Sequence, residues 1–281
     1  MLNAAPAYSA SAGILGGFVF LSIITLITVR SAESDASLAR SSGRSYRLRV
    51  GQQSRRAKRE INRGRALMLF LPALIDLLVS SFLFGEVTGE QSCVRGYIEG
   101  VLSASLLAIG ALAVFIGIVW MLDSYGESFN NLRQASEAFT VIAFLVIVAL
   151  LAVSGWDVVN NAFNGSPPAW AEAAVIAYGP LLLIALSYAR HRLTPGDDGR
   201  QKILLTAVYA PAAYLVLIVV LYAILTSYSK AQWHSFNDWK AYLSLAVGLF
   251  CPGIIMIVYA SALPNPPVFD VFKKSWWWPF R

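Results

Sequence analysis

The chain reads as an all-α polytopic membrane protein: a seven-transmembrane helix bundle with its N-terminus outside and its C-terminus inside. Seven apolar runs, at 11–29, 66–86, 98–122, 138–156, 170–189, 203–228 and 241–263, carry almost no Asp, Glu, Lys or Arg. Each is long enough to cross a hydrocarbon core of about 30 Å at about 1.5 Å per residue. Of the 22 Lys and Arg residues, 19 fall in alternate connections and the C-terminal tail, and only Arg95, Lys230 and Lys240 fall in the others. Basic residues close to span ends are retained on the cytoplasmic side, so this asymmetry sets the orientation. With 57% hydrophobic and 14% charged residues, too little polar sequence remains for a separate soluble domain. Function is therefore expected within the bundle or its loops.

The first run follows an uncharged N-terminus without a cleavage site and is expected to act as its own insertion signal. Its Gly13 and Gly17 form a GxxxG pair that lets another helix approach closely. Residues 31–43 are rich in Ser, Ala and Gly and read as flexible, whereas 45–65 reads as a basic helix lying on the membrane or extending the second span inward. This first loop holds 11 basic residues. Arg44, Arg47, Arg49, Arg55, Arg56, Lys58 and Arg59 have the density that attracts anionic lipid headgroups or a cytoplasmic protein partner. The plain alternative is a topology anchor. No aromatic or glycine-containing recognition motif accompanies the charges, so nucleic acid is not an expected partner.

Asp76 lies midway along the second run, where a carboxyl is costly without a partner, a water-filled cavity or a bound cation. It is the leading functional candidate; the alternative is a hydrogen-bonded carboxyl that only holds helices together. The third run carries Gly100, Ser103, Ala104, Ala108, Ala111 and Gly117, small residues suited to close packing. Glu86, Glu99, Asp123, Asp157 and Glu172 fall at expected helix ends, where solvation is cheap, and no second acid is expected at the depth of Asp76. Pro180, Pro211 and Pro252, the last within Cys251-Pro252-Gly253, are candidate helix breaks in the fifth, sixth and seventh runs, each able to free backbone carbonyls.

Enzymatic signatures are absent from the sequence. His191 and His234 are expected on opposite sides of the membrane and cannot share a metal, and HExxH, Gly-x-Ser-x-Gly and P-loop patterns do not occur. No catalytic residue, metal or cofactor is therefore expected. Cys93 and Cys251 fall at different depths, so no disulfide is expected.

Several short patterns go together. Asp76 is mid-span in the second helix; Asp123-Ser124-Tyr125 ends the third; Pro180 and Tyr188 are eight apart in the fifth; Tyr209-Ala210-Pro211 lies in the sixth; Asn265-Pro266-Pro267-Val268-Phe269 follows the seventh. With seven spans and an outside N-terminus, the chain resembles the G-protein-coupled receptor superfamily. Lys273, Lys274 and Trp276, Trp277 and Trp278 resemble that family's short interfacial eighth helix. The resemblance implies a receptor-like signal transducer in the plasma membrane, with Asp123, Tyr125, Tyr188, Asn265 and Pro266 as an inner switch. The outer Trp156, Trp170, Trp233 and Trp239 would meet a ligand or, more plainly, form an interfacial aromatic belt. Ser124 stands where the family has Arg, and the long basic loop falls where the family is short. A small-solute or ion transporter using Asp76, and a non-catalytic membrane scaffold, are the competing classes.

Overall fold

A computed structural model describes residues 5–39, 46–90, 93–123, 130–163, 167–192, 197–228 and 238–263. Every regular element among them is helical. The helices are α1 (Ala5–Ala39), α2 (Tyr46–Thr88), α3 (Cys93–Asp123), α4 (Asn130–Ala162), α5 (Ala169–Arg192) and α6 (Asp197–Thr226). After these come α7 (Asp238–Leu245), a π-helical turn (Ala246–Phe250) and α8 (Cys251–Ala262). The last three form one continuous span, so seven segments are apolar and long enough to cross a membrane: Ala5–Thr28, Glu60–Thr88, Val94–Asp123, Ala138–Asn161, Ala169–Ala189, Gln201–Thr226 and Lys240–Ala262. An integral, multi-pass membrane protein follows from them. Helices are the physical answer to such sequence, because lipid offers no hydrogen bonds and each span must pair its own backbone.

The bundle is built around α3. Its apolar window is 83% buried, against 28% for those of α1, α5 and α6, so α3 is the axis and the other three are peripheral. The small residues of α3 permit this. A Cβ on Gly110 would come within 2.9 Å of Leu77 Cγ, and one on Gly117 within 2.6 Å of the Phe70 ring, so α2 fits against α3 only where side chains are missing. Around the outside, Phe18, Phe82, Ile176, Val216 and Ile254 are exposed, as suits a surface solvated by acyl chains.

Polar side chains tie neighbouring helices across the apolar packing. Ser9 Oγ donates to the Ser81 carbonyl and Ser81 Oγ to the Ser9 carbonyl, both at 2.9 Å, a reciprocal clasp between α1 and α2. Ser80 Oγ donates to the Ser103 carbonyl at 2.9 Å and joins α2 to α3. Bonds of this kind contribute about 0.6–2 kcal/mol each in a bilayer.

Three expectations require correction. Residues 31–39, which read as flexible, continue α1 as helix. Pro180 and Pro211 interrupt nothing: α5 and α6 run through them, as membrane helices do when neighbouring turns absorb the missing N–H. Only Pro252 coincides with a change of helix type. In the GxxxG pair, Gly13 packs inward beside Ser81 Oγ at 3.6 Å, while a Cβ on Gly17 would meet nothing within 4 Å.

Candidate functional site

The polar centre of the bundle is assembled by the π turn. A π-helix pairs each carbonyl with the N–H five residues on, and the position five beyond Val247 is Pro252, which has no N–H. In the α register the same proline fails Gly248. The loss is made good from outside the helix. Tyr214 on α6 donates its hydroxyl to the Val247 carbonyl at 3.0 Å. Tyr178 on α5 adds a second tie at 2.8 Å to the Leu249 carbonyl, which the proline does not orphan. Both tyrosines are buried. Two helices thus hold the seventh span at its one irregular turn, while glycines let other helices close in. A Cβ on Gly248 would stand 3.2 Å from Val101 of α3, and one on Gly155 of α4 would stand 2.6 Å from Leu249.

Tyr214 also lies 2.5 Å from Ser105 Oγ, and Ser105 Oγ reaches the Leu102 carbonyl at 2.6 Å. Two hydroxyl protons therefore serve three short contacts. Either Tyr214 bonds Val247 and Ser105 bonds Leu102, or a chain runs from Tyr214 through Ser105 to Leu102, or Ser105 donates to Tyr214 and Tyr214 to Val247. The site has more than one proton arrangement with little heavy-atom motion.

Asp76 is within electrostatic reach of Tyr214 in this cluster. It is 1% exposed, about 18 Å along α2 from Thr88 and about 24 Å from Glu60, and both carboxyl oxygens lack a hydrogen-bond partner among the described residues. Its backbone neighbourhood is tight: a Cβ on Gly110 would sit 3.2 Å from Asp76 Cβ. Tyr214 and the fully buried Tyr259 of α8 are both within electrostatic reach of the carboxyl, and the Tyr259 hydroxyl likewise has no hydrogen-bond partner among the described residues. A bare carboxylate in such surroundings is costly, so the group is either neutral or neutralised by a bound cation. Among the described residues no set of three or more His, Cys, Asp or Glu converges on a metal-sized point.

A second buried acid stands nearer one end of the bundle. Glu99 read as a solvated end residue; it is 1% exposed, and Arg95 Nε contacts its Oε1 at 2.6 Å and Glu90 Oε2 at 3.1 Å. The hydroxyl of Tyr222 on α6 is buried close to Glu99. The i,i+4 spacing of Arg95 and Glu99 was the available signal, since it places the two on one face of α3. Tyr178, Tyr214, Tyr259 and Ser105 were not singled out from sequence either. A proline in a span implies an orphaned carbonyl, and only the fold says which hydroxyl meets it.

Toward the other end, Asn62 Nδ2 donates to Asp123 Oδ2 at 2.9 Å, joining α2 to α3. Arg65 lies over the Trp120 ring at 4.8 Å, and Trp120 Nε1 donates to the Ala262 carbonyl at 3.2 Å, which ties in α8. Asp123 thus sits in a network linking helices. Tyr188, 64% exposed on the outside of α5, and Pro180, also exposed, are not brought to it. Pro211 and Pro252 are buried. Tyr125, Asn265, Pro266 and Arg44 lie outside the described residues, as does Trp233. At Arg47, Arg49, Arg55, Arg56, Lys58 and Arg59 the structure describes the α2 backbone alone. Trp170 is 61% exposed and stacks on Tyr242 at 5.0 Å, in keeping with an interfacial aromatic.

No protein-family model, curated protein or solved structure matches this chain.

Proposed function

We propose that this membrane protein is a receptor-like signal transducer of the plasma membrane, with its N-terminus outside, in which an external ligand shifts the packing of the last three spans. The observation that carries the proposal is Asp76, a buried carboxyl with no hydrogen-bond partner among the described residues, within electrostatic reach of hydroxyls of α6 and α8. Such a group responds to a proton or small cation, and whatever changes its charge changes the cost of the surrounding packing. The π turn is the element that it biases, since Tyr178 and Tyr214 hold that turn from two other helices. Cytoplasmic readout then falls to the inner ends, where Asn62–Asp123 and Arg65–Trp120–Ala262 link α2, α3 and α8. The reading assigns no catalytic reaction and no cofactor.

Transport through Asp76 is the alternative. Against it, the Val247 and Leu249 carbonyls around the proline are occupied by tyrosine hydroxyls and so are not bare to line an ion path. The deciding experiment follows tryptophan fluorescence and ion flux in lipid-reconstituted protein across pH and sodium, for wild type and Asp76→Asn. A sodium- or pH-dependent fluorescence change that Asp76→Asn removes, without flux, supports the switch; flux that Asp76→Asn abolishes replaces it with transport. Cysteine accessibility at positions 41, 166 and 275 tests the orientation, and labelling of position 166 from the cytoplasmic side would overturn it.

A further inference from the structure

The sequence left two placements open for the basic stretch after the first span, flat on the membrane or continuing the second span. α2 is one unbroken helix of 43 residues, Tyr46–Thr88, and its apolar run is 66–86. At about 1.5 Å per residue that run is about 31 Å long, the thickness of the hydrocarbon core, and a headgroup layer of about 6 Å beyond it ends about four residues earlier, just past Glu60. Everything before Glu60 continues the same helix beyond the lipid. Residues 46–59 form an arm of about 20 Å that carries six basic residues and no acid. The neighbouring extension of α1, residues 29–39, holds Arg30, Glu33 and Asp35 and offsets little of that charge.

The charge is ordered along the helix. At about 100° per residue, Arg47, Lys58, Arg55, Arg59, Arg56 and Arg49 fall in that order over an arc of about 200°, with Gly51, Leu48 and Gln52 interspersed among them. Tyr46, Val50, Gln53 and Ala57 take the register positions opposite. Arg49 is about 16 Å and Arg47 about 20 Å along the axis from Glu60, roughly two Debye lengths above the headgroups at physiological salt. A lipid anchor gains nothing from charges placed there. A helical arc of cations held clear of the membrane suits a large counter-surface in the aqueous phase.

We infer that the arm of α2, residues 46–59, is a docking helix for an acidic protein surface on the cytoplasmic side. The occupant is defined by charge complementarity: it presents carboxylates across one helix face over a length of about four turns. This goes beyond the switch proposed above and does not depend on Asp76, so either can fail alone.

The test uses the full chain in nanodiscs of phosphatidylcholine and, as probe, a fluorescent polyglutamate peptide of about 20 residues. Wild type is expected to bind it, with affinity falling at least about tenfold as salt rises from low to physiological strength. Arg47→Gln with Arg49→Gln should weaken binding about tenfold while leaving thermal unfolding of the bundle unchanged. Ala57→Pro keeps every charge but breaks the arm, and is expected to weaken binding similarly. Equal affinity in both variants would show adsorption to charge without a docking helix, and overturns the inference. So does tighter binding of an RNA of equal charge. A third measurement addresses lipid: a fluorophore on Val50→Cys in nanodiscs containing phosphatidylserine is expected to escape quenching by spin-labelled headgroups, and quenching would make the arm a lipid anchor instead.

Discussion

Tyr214 of α6 donates its hydroxyl at 3.0 Å to the carbonyl of Val247, the residue five positions before Pro252. The proline creates a vacancy in the ladder of the seventh span, and a hydroxyl from another helix fills it. A local defect thereby becomes a joint between helices, within electrostatic reach of the Asp76 carboxyl, which has no hydrogen-bond partner among the described residues.

Removing the hydroxyl is the first test. Tyr214→Phe leaves the Val247 carbonyl without this donor in a dry site and Ser105 with Leu102 alone, and is expected to destabilise the bundle by about 1–3 kcal/mol. Tyr178→Phe removes a buried donor from the Leu249 carbonyl, which the proline does not orphan, and should cost about 1 kcal/mol. Unfolding of each variant in detergent measures the loss; no change at Tyr214 would mean that the contact contributes nothing to the fold.

The proline is the second. Pro252→Ala returns an N–H to the position that failed Val247 or Gly248, so the carbonyl no longer depends on Tyr214. In a Pro252→Ala background the cost of Tyr214→Phe should shrink by about 0.5–1.5 kcal/mol. A double-mutant cycle with additive costs would separate the tyrosine from the proline and leave the π turn without this explanation.

Glycine packing makes a paired prediction. Gly117→Ala places a methyl 2.6 Å from the ring of fully buried Phe70 and is expected to destabilise by about 1–3 kcal/mol. Gly17→Ala meets nothing within 4 Å and should stay within about 0.5 kcal/mol of wild type. Equal melting temperatures for the two would contradict the close approach of α2 to α3.

Why some of this was legible in sequence and some was not has a physical basis. The seven spans were readable because hydrocarbon filters composition residue by residue, and Asp76 stood out because that filter almost never admits a carboxylate. The helical state of residues 31–39 was not readable: Ser and Ala suit a flexible linker as well as a helix, and the continuing α1 decided between them. Glu99 was misplaced for a related reason. Counting residues gives depth along a helix axis, whereas the burial of Glu99 comes from Arg95 and from Tyr222 on α6. Pro180, Pro211 and Pro252 look alike in sequence, and only Pro252 falls where the helix changes type.

The ion pair on α3 yields a fourth prediction. Arg95 is 21% exposed at its side chain and Glu99 only 1%, so the arginine keeps some water while the glutamate depends on it. Arg95→Ala strands the buried carboxylate and is expected to cost about 3–5 kcal/mol. Replacing both with apolar residues, as in Arg95→Leu with Glu99→Leu, should recover most of that loss, because the stranded charge is then gone. Chemical denaturation of the single and double variants decides it; a double variant no better than Arg95→Ala would show that the pair itself, and not the unpaired charge, sets the cost.

Asp76 separates stability from function most sharply. Its two oxygens find no partner among the described residues, and Gly110 of α3 packs against its Cβ, so the carboxyl is a cost that the fold alone does not repay. Asp76→Leu removes a buried polar group in favour of an apolar one and is expected to raise unfolding free energy by about 1 kcal/mol or more. If the residue serves the proposed switch, the same variant abolishes the sodium- or pH-dependent fluorescence change. A scaffold gives the opposite pairing of results: a protein at least as stable, with every cellular activity intact. A fall in stability would point elsewhere again, to a proton, water or cation that holds Asp76 in place and that leucine cannot keep.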